Sequence, residues 1–489
     1  MFFFLGSLWF IRTTRAVLFW FYLWQLKEYH LGRFFDHFRT EKGRRIFLNP
    51  LFLLKLVFVP LFFFYPLLVF FLFLIVYIAE AAKTLLDFLR KRAKKPVLTK
   101  KTAFLISVGL LIEFSFVTIL SVYIQSILWF VFWLLIFDLL TPKIVSLIVL
   151  FFQPLAVFLR SRIIKRAKKK LTKFKNLLVV GITGSFGKTS TKDFLYAILS
   201  EKFGPDKVLK TKEHQNSEVG VSQCILDELK PGHQIFVCEM GAYNVGGIRL
   251  LSDIAKPRIG VLTGINEQHM ATFGSQENII KAKYELIESL PKGGVAFFNA
   301  KNKYCQELYQ KTRVKKFLYG QEAKLAGEEN ILGAMAVAKE LGMTDEEISR
   351  AAAKIKNRIG GIQLKRGKGG LNIIDATYSA NPEGVMAHLG YLKALPGKRI
   401  IVMPCIIELG RASKEVHLRI GKRIGEVCDL AIIVTKDRFK EIKKGAGEKV
   451  VFLENPKKIF EKIKEFCLVG NTVLLEGRLP QKLIKLLLI

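Results

Sequence analysis

The stretch 177-LLVVGITGSFGKTSTKDFLYAIL-199 leaves little freedom in how its surroundings can fold. The apolar run Leu177 to Val180 reads as a buried β-strand. It gives way to glycines at three-residue spacing (Gly181, Gly184, Gly187), then Lys188, Thr189 and an amphipathic helical pattern. Glycines let the backbone turn tightly and aim successive N–H groups inward, so such a loop at a helix N-terminus can cradle phosphates. Lys188 would reach the terminal phosphates and the Thr189 hydroxyl would hold a Mg²⁺. A glycine-rich turn with no ligand would not need strand, glycines, Lys-Thr and helix in that order. The segment is therefore read as nucleotide-binding, with Gly184, Ser185, Gly187, Lys188, Thr189 and Ser190 around the phosphates.

The 489 residues suit two to four domains. Lys and Arg exceed Asp and Glu by 35, and residues 1–175 hold 27 of the 76 basic side chains against only 7 of the 41 acidic ones. The same segment is the most apolar. That pairing points to a membrane with anionic lipids on its inner leaflet and not to nucleic acid, for which no aromatic-basic motif is present. Apolar stretches run over 1–26, 46–80 and 103–159, and a span needs about 20 apolar residues, so the latter two could each hold a hairpin. The loops 27–45, 83–101 and 160–175 carry 6, 8 and 9 Lys/Arg, which places all three on the cytoplasmic side. Residues 1–172 are expected to form a transmembrane helical region of about five spans. Apolar segments continue far beyond residue 30, which argues against a cleaved signal peptide. Glu113 and Asp138 lie inside the third stretch; they either face a functional cavity or sit near an interface or a break before Pro142. The six cysteines form no C-x-x-C pair, as expected in a reducing compartment.

From 177 onward, strand-like runs alternate with helical patterns: 235-IFVCEM-240, 259-IGVLTGI-265 and 294-GVAFFN-299, then 372-NIIDA-376, 399-RIIVMP-404, 430-LAIIVT-435, 449-KVVFLE-454 and 472-TVLLEG-477. The alternation predicts two doubly wound α/β domains, a central one over 173–357 and a Rossmann-like one over 358–489. Ligands of such sheets bind beyond the carboxyl ends of the strands, where Glu239, Asn266, His269 and Asn299 fall.

Several blocks in order now carry a resemblance: 181-GITGSFGKTSTK-192, 216-NSEVGVS-222, 239-EMGAYNVGGI-248, 261-VLTGINEQHMATFGS-275, 278-NIIKAKYEL-286, 374-IDATYSANPEG-384 and 408-ELG-410, with His417 downstream. Residues 177–489 resemble the Mur ligases, most of all the branch that adds D-alanyl-D-alanine to a muramoyl tripeptide. The resemblance implies an α/β ATP-binding central domain and amide synthesis. ATP phosphorylates a peptide carboxylate, and an amino acid or dipeptide amine attacks the acyl phosphate. It implies ATP and Mg²⁺ as cofactors, with Thr189 and Glu239 at a first metal site. At a second site stand His269 and a carbamylated lysine matching Lys283, and Lys188, His269 and Lys283 serve catalysis. Asn299 is similar to the family's adenine-contacting Asn, and Asn330 to the Asn of its G-x-H-N segment. Asp375 would meet the ribose or the interdomain cleft, or serves only as an Asx-type cap before the turn of Tyr378, Asn381 and Pro382.

The chain also departs from the family. Glu329 replaces the His of G-x-H-N, Ala376 and Ser379 replace an Asp and an Asn of D-D-S-Y-N-A-N-P, and K-G-S-R is reduced to 476-EGR-478. Family members of this type carry a soluble domain that grips the uridine diphosphate of the substrate; here apolar spans stand in its place. The resemblance thus implies a multi-pass inner-membrane ligase with its catalytic domains in the cytoplasm. Its partners would be membrane lipids, a UDP- or lipid-linked muramoyl peptide and an amine. Competing readings are an amidating or polyglutamylating Mur-fold ligase, an ATP-driven transporter and a non-catalytic scaffold. The four-cysteine ribbon of the amidating relatives is missing, and so is the LSGGQ-like signature of common transport ATPases.

Overall fold

The computed structural model describes residues 1–38, 40–90, 92–213, 215–323, 327–355, 363–377, 380–466 and 469–488, with backbone alone at 41, 42, 363 and 364. The chain divides into two compact units, Met1–Leu159 and Arg160–Ile489.

The first unit is helical. Among the described residues, four helices are long and apolar enough to cross a membrane: Phe2–Leu26, Pro66–Leu89, Lys100–Tyr123 and Ile127–Leu171, the last in two segments that meet at Phe152. The expectation of about five spans needs correction. Pro50–Phe64 has 15 residues, a rise of about 22 Å against a hydrocarbon core of about 30 Å. Nor does Pro142 break its helix, which runs through it from Ile127 to Phe151.

Asp138 is therefore no cap. Its carboxylate is 3% exposed and faces Arg12, Lys55 (2.8 Å from Oδ2) and the Tyr77 hydroxyl, which donates to Oδ2 at 2.5 Å. Glu80 pairs with Lys55 and lies 3.4 Å from Arg12 Nε. Two cations and two carboxylates from four helices thus neutralise one another in an apolar interior, as buried charges must. Glu113, beside this network, accepts from Thr141 at 3.3 Å through one oxygen and has no hydrogen-bond partner at the other.

The second unit contains two six-stranded sheets. The strands of the first are β1 Leu178–Thr183, β2 Val208–Lys210, β3 Ile235–Glu239, β4 Ile259–Leu262, β5 Val295–Asn299 and β6 Lys315–Tyr319. They lie in the order β2-β3-β1-β4-β5-β6 and are parallel throughout. Apolar side chains pack on both faces. Ile182, Leu195, Ile198 and Val337 lie on one, and Val179, Cys238, Ile248 and Leu286 on the other. Such strands read as continuous apolar runs because neither face meets water. The strand at 177 runs on to Thr183, so Gly181 belongs to it and not to the loop. A Cβ there would lie 2.8 Å from Leu286 Cδ1.

The second sheet holds β7 Gln363–Arg366, β8 Asn372–Ala376, β9 Arg399–Met403, β10 Leu430–Ile433, β11 Val450–Phe452 and β12 Thr472–Glu476, in the order β11-β10-β9-β12-β8-β7. It is parallel except for β7, an antiparallel edge. The expected change of domain near 357 lies outside the described residues.

The charge network makes a prediction for the first unit. Asp138→Asn leaves buried Lys55 and half-buried Arg12 to share the single carboxylate of Glu80, and breaking a buried pair from one side costs about 3–5 kcal/mol. All five tryptophans lie in this unit, so intrinsic fluorescence during denaturant titration in mixed micelles reads its stability alone. Asp138→Asn is expected to lower the midpoint sharply, and adding Lys55→Met to it should cost less than the sum of the single changes.

Candidate functional site

In the first sheet the chain leaves β1 on one side for β2 and β3 and on the other for β4, so the crevice at the carboxyl end of β1 is a switch point where ligands can enter. The loop Gly184–Gly187 and the helix Lys188–Phe203 stand there. Two glycines are required. A Cβ at Gly184 would lie 2.2 Å from Thr263 Oγ1, and Gly187, at φ +78°, caps the helix where a Cβ would meet Asn330 Oδ1 at 2.3 Å. Ser185 N donates to the Gly264 carbonyl at 2.7 Å, and its hydroxyl accepts from Asn266 N at 3.2 Å. Lys188 Nζ curls back to donate to the carbonyls of Gly184 (2.7 Å) and Ser185 (3.2 Å), and burial pulls its ammonium below the usual range. Ser190, half-buried, sits in the first turn of the helix.

Glu239 ends β3 beneath this loop. Its Oε2 accepts from Thr189 Oγ1 (3.0 Å) and Lys192 Nζ (3.1 Å), and its Oε1 from Asn216 Nδ2 (2.9 Å). Burial pushes this carboxyl up, but Lys192 and Lys188 outweigh it and hold the group ionised below its ordinary range. An ionised carboxylate 3.0 Å from a hydroxyl, at the mouth of a phosphate-type loop, is the oxygen-donor set that suits Mg²⁺.

Across the crevice, β4 leads to His269 (φ +65°) and the short helix Met270–Phe273. The imidazole lies edge-on to Tyr243, with ring centroids 4.9 Å apart, and its Nδ1 is 2.7 Å from Glu408 Oε2 of the second domain. Burial lowers its basicity, opposed by Glu408. Lys283 is 2% exposed, its ammonium over the Phe273 ring, with no carboxylate in ion-pair range among the described residues. Burial, then Lys188, pull it to about 7. Imidazole and ammonium together are no cation site as they stand; Lys283 would have to become an oxygen donor.

The other sequence candidates are placed as follows. Asn330 lies under the loop, taking Thr191 Oγ1 at 3.3 Å and donating to the Gly327 carbonyl. Asn299 is buried and committed to backbone, donating to the Thr263 carbonyl at 2.8 Å and accepting from Lys301 N at 2.9 Å. Asp375 accepts from Thr377 N (3.1 Å) and Oγ1 (2.7 Å) and from Lys365 (2.6 Å), an Asx turn of its own domain. Asn381 caps the helix Pro382–Lys393 through Gly384 N; Tyr378 and Ser379 lie outside the described residues. Glu329, at the position of the family's His, folds back on Gly327 N at 2.8 Å, and Glu476 accepts from His388 Nδ1 at 2.6 Å. Among the described residues no group of three or more His, Cys, Asp or Glu gathers into a metal cluster.

The sequence reading gave no role to Lys192, Asn216, Tyr243, Glu408 or the contact between the two sheets' domains, where Asn266 donates to Glu383 and Arg419 Nη2 lies 3.7 Å from Glu267 and 3.6 Å from Glu383. Most stand inside the motif blocks, which was the available signal. The pairing of Asn266, Glu383 and Arg419 across domains left none.

A family model described as the Mur ligase middle domain matches residues 182–355, and one described as "Mur ligase, glutamate ligase domain" matches 361–479. The UDP-N-acetylmuramoyl-tripeptide–D-alanyl-D-alanine ligase of Synechocystis sp. is 32% identical over 279 residues, 50% of this chain and 59% of its own length. The Bacillus subtilis enzyme of the same name is 28% identical over 344 residues, 62% of this chain and 74% of its own. This chain thus spans less than two-thirds of the Synechocystis relative. A MurF ligase structure from Thermotoga maritima, in complex with ADP, matches with a TM-score of 0.59 at 26% identity, over 67% of this chain and 83% of that one. MurF from Acinetobacter baumannii matches in fold, with a TM-score of 0.60 at 24% identity over 67% and 80%.

The interdomain contact makes a pH prediction. Burial, with Glu267 second, raises the Glu383 carboxyl to about 7. The folded state therefore holds a proton that the unfolded chain gives up near 4.5, and stability from this group falls as pH rises through 7. Calorimetry should find Glu383→Gln level with the parent at pH 5. At pH 8 it should be more stable by on the order of 1 kcal/mol, after allowing for solvent screening of a partly exposed side chain.

Proposed function

Because the chain belongs to the Mur ligase family, we propose that it is an ATP-dependent carbon–nitrogen ligase that extends a muramoyl peptide of the cell-wall precursor, adding D-alanyl-D-alanine or a similar amine. The observation that carries this reading is the convergence of Lys188, Thr189 and Glu239 on the glycine-lined loop at the carboxyl end of β1.

The reaction proceeds in two balanced steps. The peptide carboxylate attacks the γ-phosphorus of ATP and ADP leaves; the amine then attacks the acyl carbon, phosphate leaves, and the amine gives up its proton. Catalysis of such transfers is mainly positioning and charge neutralisation. The loop N–H groups and Lys188 neutralise the phosphates, and Lys188 must swing from the Gly184 carbonyl to do so. Glu239 and Thr189 would hold a Mg²⁺, which would offset phosphate charge and polarise its oxygens. Lys283, drawn to about 7, is partly unprotonated at neutral pH. That is the form of an amine that takes up CO₂, and the carbamate would give His269 an oxygen-donor partner. Asn330 supports the loop from below, and Asn299 stiffens the strand ends beside it, where the adenine would lie.

The finer reading is that the four apolar helices of Met1–Leu159 cross the cytoplasmic membrane and that the precursor is lipid-linked, with ligation at its inner surface. It is supported by the basic run 160-RSRIIKRAKKKLTKFK-175, suited to anionic headgroups, which opens the second unit immediately before β1.

Purified full chain in micelles, given ATP, Mg²⁺ and labelled D-alanyl-D-alanine, is expected to transfer label to a lipid-linked muramoyl peptide faster than to the UDP-linked one. Efficient use of the UDP form alone removes the lipid-linked reading; no ADP release with either removes the ligase reading. Lys283→Ala is expected to lose activity by about 100-fold or more and to recover part of it in millimolar short-chain carboxylates. The parent chain, but not the variant, should carry a carbamate by intact-mass measurement in bicarbonate.

A further inference from the structure

We propose that Glu408 is a positioning residue: it seats on His269 across the interdomain cleft, fixes the imidazole in one tautomer, and makes that orientation conditional on docking of the second domain.

Glu408 holds the His269 loop at two points. Its Oε2 is 2.7 Å from His269 Nδ1, and its main-chain carbonyl accepts from Ala271 N at 3.1 Å, in the first turn of the helix Met270–Phe273. Both residues of the pair are non-glycine residues at φ +65°. That conformation is disfavoured for a residue with a Cβ and persists only where the surroundings over-determine it.

The surroundings on the Glu408 side are built for this. Cys405 N donates to Thr435 Oγ1 at 2.7 Å, Ile406 N donates to His417 Nε2 at 2.9 Å, and His417 Nδ1 donates to the Ser413 carbonyl at 2.6 Å. His417 is fully buried and acts as a clamp on the loop that carries Glu408. Beyond it Leu409 is buried, and Gly410, at φ +52°, lies so close to the His269 loop that a Cβ would be 3.1 Å from Ala271 N.

A carboxylate facing Nδ1 accepts a hydrogen bond from it, keeps the ring proton on that nitrogen and leaves the Nε2 lone pair for an electrophile, which is how outer partners set a ligating histidine. If the second domain lifts away, the His269 loop loses the carboxylate and the acceptor for Ala271 N together, while the Tyr243 ring stays beside the imidazole. The chemical use of that lone pair rests on the ligase reading; the coupling of ring orientation to domain docking does not.

The test uses the full chain in micelles, labelled with ¹⁵N-histidine, with His269 assigned by His269→Gln. In the parent, the ¹⁵N shifts should show His269 protonated at Nδ1 alone. Glu408→Ala should average the two tautomers and lower kcat for ADP release by about 10–100-fold while KM for ATP stays within about threefold. Glu408→Gln, which keeps an acceptor of the same length, should restore the tautomer and most of kcat. Gly410→Ala, which leaves both side chains of the pair in place, should loosen docking and reproduce the tautomer averaging. An unchanged tautomer in both Glu408→Ala and Gly410→Ala overturns the proposal, as does equal loss of kcat in the Ala and Gln variants without any change at His269. A parent that releases no ADP but shows the expected tautomer shifts would remove the ligase reading and leave the coupling standing.

Discussion

A carboxylate at the end of a buried strand stays charged only if cations and donors meet it, and Glu239 draws much of the crevice together by that requirement. Its partners come from two elements: Thr189, Lys192 and, through its field, Lys188 from the helix after the glycine loop, and Asn216 from the segment before the next helix. A loop turned too loosely would leave Thr189 out of reach. The absence of side chains at Gly184 and Gly187 is therefore tied to the charge state of a residue more than 50 positions away in sequence. The sheet supplies the rest, since placing β1 between β3 and β4 delivers Glu239 from one neighbour and His269 from the other to the same opening.

The helical unit solves the same problem differently. Asp138 and Glu80 meet Arg12 and Lys55, so no charge is left over and the interior stays apolar around them. Neutral networks of this kind seldom add stability beyond what well-packed apolar residues would give, but they punish any arrangement that separates the partners. Because the four residues come from four helices, they specify one packing among the many that interchangeable Phe and Leu surfaces would allow.

What could be read in the sequence was what depends on neighbours along the chain. The strand–glycine–Lys-Thr–helix order, the apolar runs of β3, β4, β5, β8, β9, β10, β11 and β12, and the Asn381-Pro382 helix start each carry their own physical reason over a few residues. The strands that escaped were short or half-exposed. β2 has three residues, and β6 alternates exposed and half-buried positions at a sheet edge. Pro142 misled because a proline inside a helix of bulky apolar neighbours can be carried through, its lost hydrogen bond offset by packing. Asp138 was visible as an anomaly, yet its three partners lie 61 to 126 residues away and leave no local trace. Asn299 and Asp375 each have a short-range bond that their neighbours along the chain make possible, Lys301 N to Asn299 and Thr377 N to Asp375.

The second domain does more than cover the opening of the first. Three of its elements reach across: the strained Glu408 loop, the start of the helix Pro382–Lys393 through Glu383, and Arg419 from the helix Ser413–Val427. None is a large apolar contact. Glu383 stands against Glu267, with Arg419 too distant at 3.6–3.7 Å to hydrogen-bond either. An interface of a few charged contacts and strained turns can open, as the proposed ligase would require in order to admit its nucleotide and two further substrates. Its specificity comes from the cost of mismatch, since Glu408 and His269 hold their backbones in a disfavoured region and part of the compensation is their contact with each other. A domain docked even a little out of place would keep the strain and lose the hydrogen bonds, so the closed arrangement is selected by geometry more than by affinity.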